Sequence, residues 1–540
     1  MARNTKTCKS NSSKTNKKRN YNRSKNQKGE IENLRSDEDT SRSGNDPSWY
    51  ASNPVLLRDA ASYPFSYVTG ASSIHDPGLW IPNYFESGAI EQVPGIASLH
   101  VYPTIGTSIN ATDPINVASQ SVYSFVRHAN SGHSNYDPAD LMMYILAMAN
   151  MYSFLVWCQR LYGYALTYDQ RNRYIPQDLI RANNVDADDL RTNLANFRFW
   201  INTLIAKMVS FAVPATMSVF SRMSFMYSDY YIEGTSIKEQ LYQFVPDGFY
   251  QFGLDPEKMY GILEWKPFDW STVMKVSDVM NYGDTMFDAI WSQEDFGIMS
   301  GDILKAYGDN IIKLSQIPEA YSMIPKFDAM VLTQIKNAEP IRITPKRIAQ
   351  VPEDGIIGQV LTAAPFKQGE LFYGTSGSGM TAEQATTFNN GLMAYLKDDH
   401  ILTVDMDQPT PEVVIEATRL KVAYDQHKAE LKCATEVITR VVVTDRPGHD
   451  VELPPIMTGL LNTTTDAAGV EAVHTAIEVA RNFHYMPKLW LLNLNSTSKK
   501  LSAKCMFDVD NFTVLDDYDL TKLHEAATIN MFAVPSIGKV

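Results

Sequence analysis

Residues 137–159 read DPADLMMYILAMANMYSFLVWCQ, and the interpretation of this run sets the fold. Asp137 suits a helix N-cap and Pro138 the first helical position, where a missing amide costs nothing. The pattern predicts a helix from there to about Asp169, roughly 32 residues and about 48 Å long. From Leu141 to Gln159 the run carries no charge, and its length is close to the ~20 residues that cross a bilayer. Three features oppose a membrane span. Asn150, Ser153 and Gln159 interrupt the run, it lies deep inside the chain, and no second clean span accompanies it. A central helix buried on nearly all sides fits better, with Met142, Met143, Met148 and Met151 as adaptable core filler.

A second long helix is expected to start at Asp186 or Asp188. Leu190, Leu194, Phe197, Ile201, Leu204, Ile205 and Met208 recur at helical spacing, and Pro214 ends it. Ser236-Ile237-Lys238-Glu239 fits a capping box opening a short helix through Phe244. Further helices are expected near 271–292 and 300–308. From about 326 to 373 the pattern changes, and Ala329 to Ile335, Ile341 to Ile348 and Gly355 to Leu361 read as strands of a smaller sheet. Helices near 381–397 and 410–431 follow, then a strand at Glu436 to Thr444. A helix near 469–482, strands near 488–494 and 504–515, and a last helix near 517–530 complete an α+β, helix-rich body. Residues 49–105, with many Pro, Gly and aromatics, read as extended segments and short turns. No repeat of fixed period is present.

The 540 residues predict two or three domains or subdomains. Cys8, Cys158, Cys433 and Cys505 lie far apart without metal-ligand spacing, and read as reduced thiols in an intracellular setting. The N-terminus lacks the apolar core of a secretory signal, so the sequons at Asn110, Asn462 and Asn495 are expected to stay unglycosylated.

Charge divides the chain sharply. Residues 1–28 hold ten cations, Arg3, Lys6, Lys9, Lys14, Lys17, Lys18, Arg19, Arg23, Lys25 and Lys28, and no Asp or Glu. Their neighbours are Asn, Ser, Thr and Gln, too polar to offset the entropy of ordering, so a disordered arm is expected. Without those ten, the remaining 38 Lys and Arg face 61 Asp and Glu, a net charge of −23 on the body. Such an arm replaces counterions on nucleic-acid phosphates without reading bases, with a salt slope approaching roughly −9. Tyr21 alone makes no stacking platform. Residues 29–46, with Glu30, Glu32, Asp37, Glu38 and Asp39, read as a hinge. A nuclear-localisation tract, a polybasic membrane anchor and a solubilising tail are the other uses of such a run. The anchor lacks support, because Ala2 stands where myristoylation needs glycine.

Motifs that could carry chemistry fall short. Gly374-Thr375-Ser376-Gly377-Ser378-Gly379-Met380-Thr381 has phosphate-loop spacing, but Met380 stands where a Lys must reach the outer phosphates, so a surface loop is expected. Tyr307-Gly308-Asp309-Asn310 resembles the metal-binding turn of some RNA polymerases, without a second aspartate motif upstream or a basic channel. Asp508, Asp510, Asp516 and Asp517 lack the central Gly and terminal Glu of a calcium loop and read as a solvated turn. His128 and His133 read as solvated loop residues. With no nucleophile elbow, the sequence predicts a structural protein rather than an enzyme, with no catalytic residue, no metal and no cofactor.

Trp49 to Ser66 followed by Gly70, Arg222 to Ile232, Gln240-Leu241-Tyr242-Gln243-Phe244 with Gly248-Phe249-Tyr250, and Gly297 to Gly308 together resemble stretches of the capsid proteins of picobirnaviruses. They keep the family's order over residues 47–308. The resemblance implies a non-enveloped icosahedral shell around a segmented double-stranded RNA genome. It also implies intertwined dimers, one per asymmetric unit, a helix-rich shell domain, a protruding domain and an N-terminal segment facing the lumen. Some members cleave their own coat near the N-terminus, but no residue here carries that activity over. In this light Gly301-Asp302-Ile303-Leu304 is a packing motif and the polymerase-like turn beside it a coincidence.

The expected organisation is a disordered arm and hinge (1–46), a shell domain (47–245), an inserted protruding domain (246–395) and a return to the shell (396–540). Expected partners are further copies of the chain, viral RNA through the arm, and an enclosed viral polymerase, with no membrane. Residues 49–105 are candidates for clamping a neighbouring subunit. The expected location is the virion, with assembly in the host cytoplasm. The competing reading is a non-viral nucleic-acid-associated enzyme or chaperone with a basic tail.

Overall fold

The structure, a computed structural model, describes residues 52–60, 95–131, 135–167, 175–234, 239–363, 400–425, 430–446, 449–453, 456–457, 476–477, 479–488, 490–494, 501–505 and 511–535. It separates into two units, Met1–Ser66 and Tyr67–Val540. In the first, helix α1 spans Pro54–Ala60, where extended chain was expected. Asn53 Oδ1 accepts from the amides of Val55 and Leu56, the local bond that starts a helix there.

The second unit is built around residues 137–159. After β1 (Ile96–Pro103) and α2 (Pro114–Ala129), helix α3 spans Pro138–Leu166. Asp140 in its first turn accepts from the Asp137 amide. Met142, Met143, Met148 and Met151 are fully buried, as is 94% of the most apolar window. The helix ends at Thr167, whose hydroxyl caps the Gly163 and Met323 carbonyls.

Around α3 pack α4 (Ile175–Arg181), α5 (Ala187–Thr192), α6 (Leu194–Met208) and α7 (Ser218–Phe225). The single helix expected from Asp186 is therefore two. Asn193 breaks it, because its side chain turns back onto the carbonyl and carboxylate of Asp189 and competes with the helical bonds. Ile201 and Leu204 face the core as expected, but Leu194 is only half-buried.

Strands β2 (Tyr231–Ile232) and β3 (Leu241–Pro246) come next. The helix expected through Phe244 is thus a strand over its described part. Every residue of β3 is buried, and a place inside a sheet overrides a local capping signal. Strands β4 (Gly248–Leu254) and β5 (Gly261–Pro267) and helices α8 (Val276–Trp291), α9 (Glu294–Tyr307) and α10 (Ala329–Asn337) follow. Helix α10 replaces the strand expected at 329–335. Asp328 Oδ1 caps it by accepting from Met330 and Val331, and a short apolar run does not by itself distinguish helix from strand.

Four short strands, β6 (Ile343–Thr344), β7 (Ile348–Val351), β8 (Ile356–Gly358) and β9 (Thr362–Ala363), and then β10 (His400–Thr403) precede α11 (Pro411–Ala417). The helix expected to reach residue 431 stops at Ala417 and gives way to β11 (Ala423–Asp425) and β12 (Glu430–Cys433). There the chain turns inward, with Thr418, Leu420 and Val422 all buried. The last elements are β13 (Glu436–Arg446), β14 (His449–Leu453), β15 (Ile456–Met457), β16 (Trp490–Leu494), β17 (Leu501–Cys505), β18 (Phe512–Leu515) and α12 (Asp517–Met531). The helix expected near 381–397 lies outside the described residues, as does most of that near 469–482.

The principal sheet has the order β14-β13-β1-β3-β2. β1 is its middle strand, parallel to β3 and antiparallel to β13. It is buried along nearly its whole length, as a strand covered on both faces must be. The chain thus returns after more than 300 residues to complete the sheet it began, with Leu99 of β1 paired to Val441 of β13. A second sheet, β4-β5-β7-β8, lies against α3.

Candidate functional site

The polar residues of greatest interest are buried, and they tie distant segments together. Arg160, one residue past the charge-free run, is fully buried on α3. Its Nη2 donates to the Phe244 carbonyl at 2.7 Å and to Asn183 Oδ1 at 3.0 Å, and its Nη1 to the Asp229 carbonyl. The guanidinium lies over the rings of Tyr164 and Tyr227. Asn183 passes the connection to Gln243, and Gln243 to Ser98, so helix and sheet share one hydrogen-bonded chain.

A second cluster closes the C-terminal segment onto the middle of the chain. His400 Nδ1 donates to Glu339 at 3.0 Å, and its Nε2 to Asp517 Oδ1 at 2.8 Å. Lys421 Nζ donates to Glu339 at 2.8 Å, and Lys432 Nζ to Asp517. Burial opposes the charge on His400, but Glu339 and Asp517 outweigh it and hold the imidazole up at about 9. Burial likewise opposes the charge on Glu339, and His400 and Lys421 overcome it and hold the carboxyl well below its usual range. Asp516 caps α12 by accepting from Asp519, so Asp516 and Asp517, expected in a solvated turn, instead start a helix, and Asp517 anchors His400 and Lys432.

Two further pairs could suggest catalysis. His100 Nδ1 donates to Asp247 at 2.8 Å, and Asp247 also accepts from Arg440 and Thr439. Burial lowers the His100 pKa, against the opposing pull of Asp247. No serine or cysteine is bonded to this pair among the described residues, and its partners tie β1 and β13 to the end of β3. Cys433 and His524 line one cavity of about 240 Å³ with Thr521 and Glu525. Burial pushes the Cys433 thiol up to about 11. Burial, together with the neighbouring Arg419, pushes His524 well down. A protonated thiol beside a neutral imidazole is not an activated nucleophile.

The sequence-derived candidates are distributed as follows. The ten arm cations, His133, Asp508, Asp510 and the 374–381 loop lie outside the described residues. His128 is exposed near the end of α2. Tyr307 is buried against Phe125, Gly308 turns with φ of 56°, and the Asn310 carbonyl accepts from Ala215. The polymerase-like turn is thus a helix end. Among the described residues no three His, Cys, Asp or Glu side chains converge as metal ligands. Arg160, Glu339, His400, Lys421 and Asp247 carry no local motif, and sequence reasoning missed them. The position of Arg160 at the end of a charge-free run was the one available signal.

The arrangement ties distant segments of the chain together, as a structural protein requires. The comparisons agree. The family described as "Picobirnavirus, Capsid protein" matches residues 49–445. The capsid protein precursor of Human picobirnavirus (strain Human/Thailand/Hy005102/-) is 28% identical over 538 residues, covering 92% of each chain. The crystal structure of the picobirnavirus capsid superposes with a TM-score of 0.72 at 21% identity, over 91% of this chain and 98% of the other. These define a viral coat protein, a structural component of the virion that associates with copies of itself. The chain belongs to the picobirnavirus capsid protein family.

Proposed function

We propose that this coat protein assembles as dimers into an icosahedral shell enclosing a double-stranded RNA genome, with residues 1–45 lining the lumen. The observation that carries the proposal is the charge division, ten cations and no acid in residues 1–28 ahead of a body of net charge −23. A body of that net charge repels RNA, and the cationic arm restores attraction by releasing counterions. Arg3, Lys6, Lys9, Lys14, Lys17, Lys18, Arg19, Arg23, Lys25 and Lys28 are the neutralising residues. Residues 49–105 clamp the neighbouring subunit, assembly takes place in the host cytoplasm, and the polymerase is enclosed with the genome. A protruding domain is inserted within 246–395. Residues 248–267, 276–307 and 348–358 of that stretch pack on the central helix, so the protruding part lies among the remaining residues.

The test is deletion of residues 1–45. Closed particles should still form, seen by negative-stain microscopy, and the nuclease-protected RNA they hold should fall, read from the ultraviolet absorbance ratio. Particles that protect as much RNA as the full chain would overturn the role of the arm. A chain that stays a monomer or dimer over a range of salt would overturn the shell.

A further inference from the structure

Helix α9 turns Phe296, Met299, Ser300, Ile303 and Tyr307 to the core, where Ser300 Oγ accepts from the Ala212 amide. At about 100° per residue, Glu294, Gly297, Ile298, Gly301, Leu304 and Lys305 share the opposite face, in an arc of about 120° with Gly301 near its centre. All six are exposed, and Ile298 and Leu304 stand 48% and 49% open. A Cβ placed on Gly297 or Gly301 would meet nothing within 4 Å. Each glycine costs a helix about 1 kcal/mol relative to alanine, and nothing among the described residues requires either one. An absent Cβ is useful when another backbone approaches from outside.

The charges on this face specify what approaches. Glu294 sits at one end and Lys305 at the other, and neither is ion-paired among the described residues. An antiparallel copy of the same helix, centred on Gly301, sets Ile298 opposite Leu304. It brings Lys305 within three residues, about 4.5 Å along the axis, of the other copy's Glu294. A two-fold axis makes each contact twice.

We propose that α9 is a two-fold docking face on which a second copy of this chain seats its own α9 antiparallel, Gly301 against Gly301. The inference rests on the shell-building reading and goes beyond it by naming the contact.

The experiment uses the full-length chain. Gly301→Arg projects into open space, so circular dichroism and thermal midpoint should match wild type, while particle yield falls roughly tenfold or more, the equivalent of about 1.4 kcal/mol per contact. Glu294→Lys and Lys305→Glu should each reduce yield, and the double exchange should restore it. Gly301→Cys should form a disulfide dimer under mild oxidation, since a close backbone approach meets the ~5.5–6 Å Cα separation such a bond needs. Asp288→Cys, on an exposed face of α8, should give no more dimer than wild type. Wild-type yield from Gly301→Arg, or no rescue by the double exchange, would overturn the α9 contact and leave the shell standing. A wild-type chain that never associates would overturn both.

Discussion

His400 and Asp517 meet at 2.8 Å across 117 residues of sequence. With Glu339 on its other nitrogen, the imidazole is held charged up to about 9, against roughly 6.5 in an unfolded chain. A raised folded pKa stabilises fully below the unfolded value, and the contribution disappears as pH rises through the folded one. Stability should therefore fall between about pH 6.5 and 9, by on the order of 3 kcal/mol for this group. The lowered Glu339 and Asp517 act in the opposite sense, and their contribution is lost as pH falls below their ordinary range. Urea midpoints measured across pH should show the alkaline decline in wild type and a flattened one in His400→Gln.

Gly283 on α8 is the converse of Gly301. A Cβ there would strike the Phe154 ring and lie 2.7 Å from Trp200 Cζ2. Gly283→Val should cost about 1–3 kcal/mol by overpacking and lower the thermal midpoint. Gly301→Ala should leave that midpoint unchanged or slightly raised.

Arg160 offers a test of the helix-to-sheet connection. Lysine keeps the charge but cannot reach the Phe244 carbonyl, Asn183 and the Asp229 carbonyl together, because it lacks the planar fork. Arg160→Lys should destabilise by about 2–4 kcal/mol, since each buried acceptor left unpaired costs about 1–3. Chemical unfolding followed by tryptophan fluorescence measures it.

Ile201 is fully buried and Leu194 half-buried. Ile201→Asp should yield no soluble particles, because an unpaired buried carboxylate costs several kcal/mol. Leu194→Asp, at the first turn of α6, should still fold, with a loss of about 1–2 kcal/mol. Soluble yield and particle counts for the pair check the assignment of this helix face.

The central helix was legible because its signals agree. A cap, a Pro at the first position and nineteen uncharged residues point the same way, and burial on every side needs no partner to be known in advance. The last helix, expected near 517–530, spans Asp517–Met531. Strand β3 was not legible, because a capping pattern at Ser236 and the aromatic run after it are locally consistent with a helix, and only the neighbouring β1 and β2 decide otherwise. Ala329 to Ile335 failed for the converse reason, with Asp328 as the cap passed over. The buried charges were illegible in principle. Glu339, His400, Lys421 and Asp517 share no spacing, and their association exists only once the chain has closed. The family resemblance was readable over residues 47–308, while the family match runs to residue 445.

The place of β1 at the middle of the principal sheet has a consequence in time. Its partner β13 leaves the ribosome about 340 residues after it, a delay of roughly 20 to 70 s at ordinary rates of synthesis. For that interval one edge of β1 lacks its native strand. A chain cut short before β13 leaves the principal sheet without two of its five strands. The order of the strands thus delays closure of that sheet until residues 436–453 have been made.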